Sequence, residues 1–122
     1  MFTLSVQSHF DSAHFLRGYN GPCANLHGHR WELVVRVAAE EVDGIGIAVD
    51  FKRIKSALKE VTEDLDHTCL NDHEQFRALN PTAENLARFL YERLSFEISG
   101  LGAQVVGVEV WESEDCCVSY VA

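Results

Sequence analysis

Residues 27–39 leave the backbone few options. Their odd positions read His27, His29, Trp31, Leu33, Val35 and Val37, and their even positions include Arg30, Glu32 and Arg36. Successive side chains of a strand point to opposite faces, so this alternation predicts a β-strand with one buried face. The same parity puts two imidazoles on the apolar face, at the N-terminal end of the strand. Two histidines two residues apart on a strand present two nitrogens to one surface, a ready pair of metal ligands. Cys23 lies four residues before the first of them.

The remaining elements follow from the same kind of pattern. Residues 2–14 alternate Phe2, Leu4, Val6 and Phe10 against Thr3, Ser5, Gln7 and His9, which predicts a first strand. His14 shares the parity of the apolar set and is expected to point inward. Residues 16–26 are rich in turn formers and read as a loop, as do residues 40–49 around Asp43-Gly44 and Gly46. From Phe51 the period changes. Phe51, Ile54, Leu58, Val61 and Leu65 have helical spacing, with Asp50 as N-cap and an end expected near Asp66-His67. A loop through Leu70-Asn71-Asp72 leads to a second helix opening at Asn80-Pro81-Thr82, with Leu86, Phe89, Leu90 and Leu94 as its stripe. Residues 104–112 predict a third strand with Val106, Val108 and Val110 on one face and Glu112 in the same parity. Residues 116–121 predict a short fourth. The order ββααββ predicts an α+β fold: a four-stranded antiparallel sheet with both helices on one face, in a single domain over residues 1–122. The two sheet edges would be open, which points to pairing between copies of the chain.

Composition narrows the function. A net charge of −9 argues against a nucleic-acid-binding surface. No run approaches the roughly 18 apolar residues of a spanning helix, and Met1–Val6 lacks the basic start and apolar run of a secretory signal. The expectation is a cytosolic protein away from the membrane. There the four cysteines are expected as thiols, and a bond between adjacent Cys116 and Cys117 would be strained. Cys69, Cys116 and Cys117 are expected in or near the core, and His9 and His73 at the surface.

A catalytic zinc takes three protein ligands and keeps one position open. His14, at the end of the neighbouring strand, is the candidate third ligand beside His27 and His29. Cys23 admits two readings: a fourth ligand closing a structural site, or a separate thiol whose pKa a nearby cation lowers. Asp66-His67 is either a carboxylate-held imidazole fit to relay protons or a helix-terminal histidine favoured by the dipole. Glu112 is either a strand-end carboxylate reaching water or an acceptor for two N–H groups of a heterocycle edge. Asp50 and Thr82 read as helix caps, with Glu84 in a first helical turn.

Six segments, in order, carry a family likeness: Phe10-Asp11-Ser12-Ala13-His14, Cys23-Ala24-Asn25-Leu26-His27-Gly28-His29, Val49-Asp50-Phe51, Leu65-Asp66-His67-Thr68-Cys69-Leu70-Asn71, Asn80-Pro81-Thr82-Ala83-Glu84-Asn85 and Val110-Trp111-Glu112. Through them the chain resembles the 6-pyruvoyltetrahydropterin synthase family, and within it the bacterial 6-carboxytetrahydropterin synthases of queuosine biosynthesis. The resemblance implies the tunnelling fold, assembled as trimers that stack into a hexamer with active sites between subunits. It implies Zn2+ on His14, His27 and His29. It implies Cys23 as the proton-abstracting base, Asp66 and His67 as a proton relay, and Glu112 as anchor of the pterin's amino-pyrimidine edge and a member of that relay. Asp50, Phe51, Thr82 and Glu84 match segments near the pterin pocket. The implied reaction is a zinc-dependent lyase reaction on 7,8-dihydroneopterin triphosphate. The short spacing from Cys23 to His27 resembles the members that yield 6-carboxytetrahydropterin, acetaldehyde and triphosphate. A 6-pyruvoyl product, a non-catalytic pterin-binding protein and a structural zinc protein are the alternatives. Arg17, Arg30, Lys52, Arg53 and Lys55 are the cations available for the triphosphate.

Overall fold

The computed structural model describes residues 1–121. Strands β1 (Phe2–His14) and β2 (His27–Ala39) pair antiparallel along their whole length, from Phe2 opposite Ala39 to His14 opposite His27. Their inward faces follow the predicted parity: Val6, Phe10 and His14 on β1 and Trp31, Leu33, Val35 and Val37 on β2 are buried. Phe2 departs from it, 52% exposed at the start of the strand. Helices α1 (Phe51–Thr62) and α2 (Ala83–Glu97) pack Ile54, Leu58, Val61, Leu86, Phe89, Leu90 and Leu94 into one core with that sheet face. Full burial of such side chains is worth about 1.5–3 kcal/mol each, so this core drives the fold. No helix among the described residues is long and apolar enough to cross a membrane.

The sheet differs from the expected one. It has five strands and is mixed, in the order β3-β1-β2-β4-β5, where β3 is Thr68–Cys69. β3 runs parallel to β1, with Thr68 opposite Ser12 and Cys69 opposite Ala13. Two residues carry no period, so no alternation announced them. α1 also stops at Thr62, short of Asp66-His67, because the amides of Leu65 and Asp66 both return to the Thr62 carbonyl at 3.0 Å. His67 then adopts φ 58° and sends its N–H to the Asp11 carbonyl at 2.6 Å. That bond swings the chain off the helix axis and onto the edge of β1.

Strand β4 (Gln104–Trp111) carries a bulge. Arg36 faces Gly107 and Val37 faces Val105, so Val106 has no partner on β2. An extra residue reverses the alternation at that point. Val105 therefore takes the buried place expected for Val106, while Val108 and Val110 keep theirs. β5 (Cys117–Tyr120) closes the sheet as a hairpin with β4. Cys116 and Cys117 are exposed and not in the core, because they flank that hairpin's turn; all four cysteines are free thiols.

Candidate metal centre

Antiparallel pairing sets His14 opposite His27 and Ser12 opposite His29, so three imidazoles meet at one end of the β1–β2 ribbon. Their ring centroids lie 4.6–5.2 Å apart. Glu112, one residue beyond β4, joins them: each of the four side chains offers a donor atom, and these atoms all lie within 4.8 Å of one another. Trp31, fully buried, lies edge-on to His14 and His29 at 4.9 and 5.2 Å and forms the floor.

Two main-chain carbonyls orient the rings. His14 Nδ1 lies 2.7 Å from the Pro81 carbonyl, and His27 Nδ1 lies 2.6 Å from that of Asn25. A carbonyl oxygen only accepts, so each Nδ1 carries the proton and each Nε2 keeps its lone pair. The Nε2 atoms of His14, His27 and His29 are all buried without a hydrogen-bond partner. Burial pushes the His14 and His29 imidazoles below their usual range, more strongly than the Pro81 carbonyl or the Glu112 charge raises them. The His14 and His27 lone pairs converge with His29 Nε2, and the three nitrogens, all buried without a hydrogen-bond partner, fit a bound divalent metal. Cys23 is not in this group; the fourth donor beside the rings is the Glu112 carboxylate.

The chain beyond His14 is fixed by amide side chains. Asn71 accepts from the Phe15 N–H at 3.0 Å and donates to its carbonyl at 2.9 Å. Asn80 does the same to Arg17, at 2.9 and 2.8 Å. Asn85 holds the Asn80 carbonyl at 2.9 Å. Asn80-Pro81 thus grips both the segment after His14 and the His14 ring. In the sequence, Asn80-Pro81 marks the start of the second helix and Asn25, Asn71 and Asn85 fall in the family-like segments, but sequence reasoning assigns none of the five to the site. Carbonyl partners leave no trace in residue type, whereas the asparagines at loop positions were a visible signal.

The other expected residues fall elsewhere. Cys23 sits half-buried in a one-turn 3-10 helix, Pro22–Ala24, and its carbonyl accepts from the Leu16 N–H at 2.9 Å. Asp66 and His67 form a second group with Asp11: Asp66 Oδ1 lies 3.0 Å from His67 Nδ1 and accepts from the Asp11 N–H at 3.0 Å. The Asp11 amide, above all, holds the Asp66 carboxyl below its usual range, with His67 adding to the effect. The His67 side chain is 78% exposed. Asp50 accepts from Lys52 N at 2.9 Å and Thr82 from Asn85 N at 3.1 Å, so both are N-caps, with exposed Glu84 in the first turn of α2. Phe51 is half-exposed beside a groove of about 460 Å³ that it lines with Phe2, Leu4 and Ile47. Arg30 is paired with Asp11 at 3.1 Å.

Residues 3–122 match the family model described as 6-pyruvoyl tetrahydropterin synthase. The chain belongs to this family. A 6-carboxy-5,6,7,8-tetrahydropterin synthase of Bacillus subtilis is 35% identical over 118 residues, 93% of this chain and 79% of that protein. The Haemophilus influenzae protein of the same name is 28% identical over 142 residues, 98% of this chain and 99% of its own. Among solved structures, the 6-pyruvoyl tetrahydropterin synthase of Caenorhabditis elegans superposes with a TM-score of 0.88 at 26% identity, covering 99% of this chain and 95% of that one. The family match runs from β1 to the end of the chain and contains both the four-donor group and the Asp11-Asp66-His67 group.

Proposed function

We propose that this protein is a zinc-dependent lyase that converts 7,8-dihydroneopterin triphosphate to 6-carboxy-5,6,7,8-tetrahydropterin, releasing acetaldehyde and triphosphate, in the route to queuosine and related 7-deazapurines. The observation that carries the reading is the set of three buried, unpartnered Nε2 atoms within a family whose relatives bear the 6-carboxytetrahydropterin synthase name. His14, His27 and His29 would hold the metal. Zinc so held supplies Lewis acidity toward the hydroxyls of the substrate side chain.

The remaining roles belong to the protein. Cys23, as thiolate, removes a proton from the side-chain carbon next to those hydroxyls. His67 returns protons, and Asp66 keeps its Nδ1 protonated and its other nitrogen free to exchange. Glu112 accepts from the amino and ring N–H groups of the pyrimidine edge and takes part in the relay. Asp50, Phe51, Thr82 and Glu84 lie along the pterin pocket, two of them shaping it through the helix N-termini they cap. The active site lies between subunits of a hexamer built from two trimers. The open β1 edge, the β5 edge and the exposed Phe2, Val42, Ile45, Ile47 and Phe51 support burial against other copies. The protein works in the cytosol.

The test is mass spectrometry of the products after zinc-loaded protein meets 7,8-dihydroneopterin triphosphate. A 6-carboxytetrahydropterin with acetaldehyde is the expected result. The likeness to the Caenorhabditis elegans protein favours one second reading, triphosphate elimination that keeps a 6-pyruvoyl side chain. A pyruvoyl product would select it. Unchanged substrate with zinc in place would sink both.

A further inference from the structure

Glu112 stands in a position that its role toward a pterin does not explain. The bulge at Val106 fixes the parity of the last residues of β4, and the Glu112 N–H donates to the Cys116 carbonyl at 3.1 Å, locking its backbone in the β4–β5 hairpin. Its carboxylate therefore turns inward. Oε1 lies 3.0 Å from His29 Nε2 and 3.6 Å from His14 Nε2. Neither nitrogen is in hydrogen-bond geometry with it. At His14 the proton is on Nδ1, facing Pro81, so a carboxylate lone pair and an imidazole lone pair face each other. Two acceptors this close, with one of them on a ring 1% exposed, repel unless a cation stands between them. The same Glu112 side chain is 32% exposed and lines a groove of about 640 Å³ on the sheet, so it has an outer position to move to.

We propose that Glu112 is the fourth ligand of the metal in the substrate-free protein, and that a pterin displaces it. The second half rests on the pterin-lyase reading above; the first does not. Three nitrogens and one carboxylate oxygen would supply the four donors that zinc usually takes. The free site is then closed to water and stray anions. A pterin whose pyrimidine edge draws the carboxylate outward vacates a coordination position at the moment its own hydroxyls arrive. One side chain thereby couples recognition of the ring to opening of the metal.

Cobalt(II) in place of zinc makes the ligand set visible, since its visible absorption depends on donor type and number. The comparison is between the unmutated protein, Glu112→Gln and Glu112→Ala, with metal-free melting curves confirming that each variant folds. Both variants are expected to alter the cobalt spectrum. They should also weaken zinc binding in a chelator competition by about 10- to 100-fold, the scale seen even when a partner one step removed from a metal is lost. Spectra and zinc affinities that match the unmutated protein in both variants would overturn the assignment. Neopterin, an oxidised pterin with the trihydroxypropyl side chain, is then added to the unmutated cobalt protein. A spectral change on binding is expected; binding shown by equilibrium dialysis with no spectral change would overturn the displacement. Turnover of 7,8-dihydroneopterin triphosphate is read separately. Its absence would remove the lyase reading while the ligand spectra of the free protein still stand.

Discussion

In the proposed lyase Cys23 and the three histidines divide the work of the site, and single substitutions would separate their parts. Cys23→Ala should lower turnover by about 10²- to 10⁴-fold, the usual contribution of a general base, with zinc retained at one per subunit by elemental analysis. A loss of zinc in that variant would instead make Cys23 a ligand. His14→Ala should lose stoichiometric zinc, because the most buried of the three rings disappears. The rings also make the metal-free protein sensitive to acid. Burial holds His14 and His29 below the ordinary 6.5, so below that pH the unfolded chain binds more protons than the folded one. Their contribution to stability is complete above 6.5 and is lost as the pH falls from there through the lowered folded values. Urea midpoints of the metal-free protein should therefore be lower at about pH 5.5 than at about pH 7.5. At this scale much was legible. Alternation alone brought His14, His27 and His29 to one face, and parity brought Glu112 there too. Cys23 and His67 were legible as residue types but not as places, because a loop and a left-handed turn set their positions.

Helix starts and strand ends, more than helix and strand interiors, hold the site together. Pro81 immediately precedes the Thr82 cap, so fraying the start of α2 loosens the carbonyl that orients His14. Thr82→Ala should cost about 0.5–2 kcal/mol by urea titration and raise the zinc dissociation constant as well. Asn71→Ala leaves both polar groups of Phe15 without their partners and should cost about 1–3 kcal/mol for each group left unsatisfied. Both helices and four of the five strands could be read from periodicity. What escaped has a common cause. β3 is too short to show a period, the α1 end is decided by a tertiary bond from His67 to Asp11, and the β4 bulge breaks the alternation that betrays a strand.

The whole molecule leaves its edges and one apolar groove uncovered. β3 pairs with β1 only at Ser12 and Ala13, and Asp66 and His67 cover Asp11, so the length from Phe2 to Phe10 is open, and β5 forms the opposite edge. Ile45, 82% exposed, crowns a loop held rigid by Asp43, whose carboxylate accepts from the N–H groups of Ile45 and Ile47 at 3.0 Å each. The proposed hexamer would cover these features. Light scattering should give six times the chain mass, and Ile47→Asp should shift the population toward smaller species with the subunit fold intact by circular dichroism. A monomer in the unmutated protein would remove both the assembly and the shared active site. The packing of Trp31 against His14 and His29 has a practical consequence of another kind. An indole edge-on to two rings whose charge and occupancy change with the metal is a built-in optical reporter. With Trp111→Phe silencing the second indole, the intrinsic fluorescence of Trp31 would follow metal capture and release in real time, with no label attached.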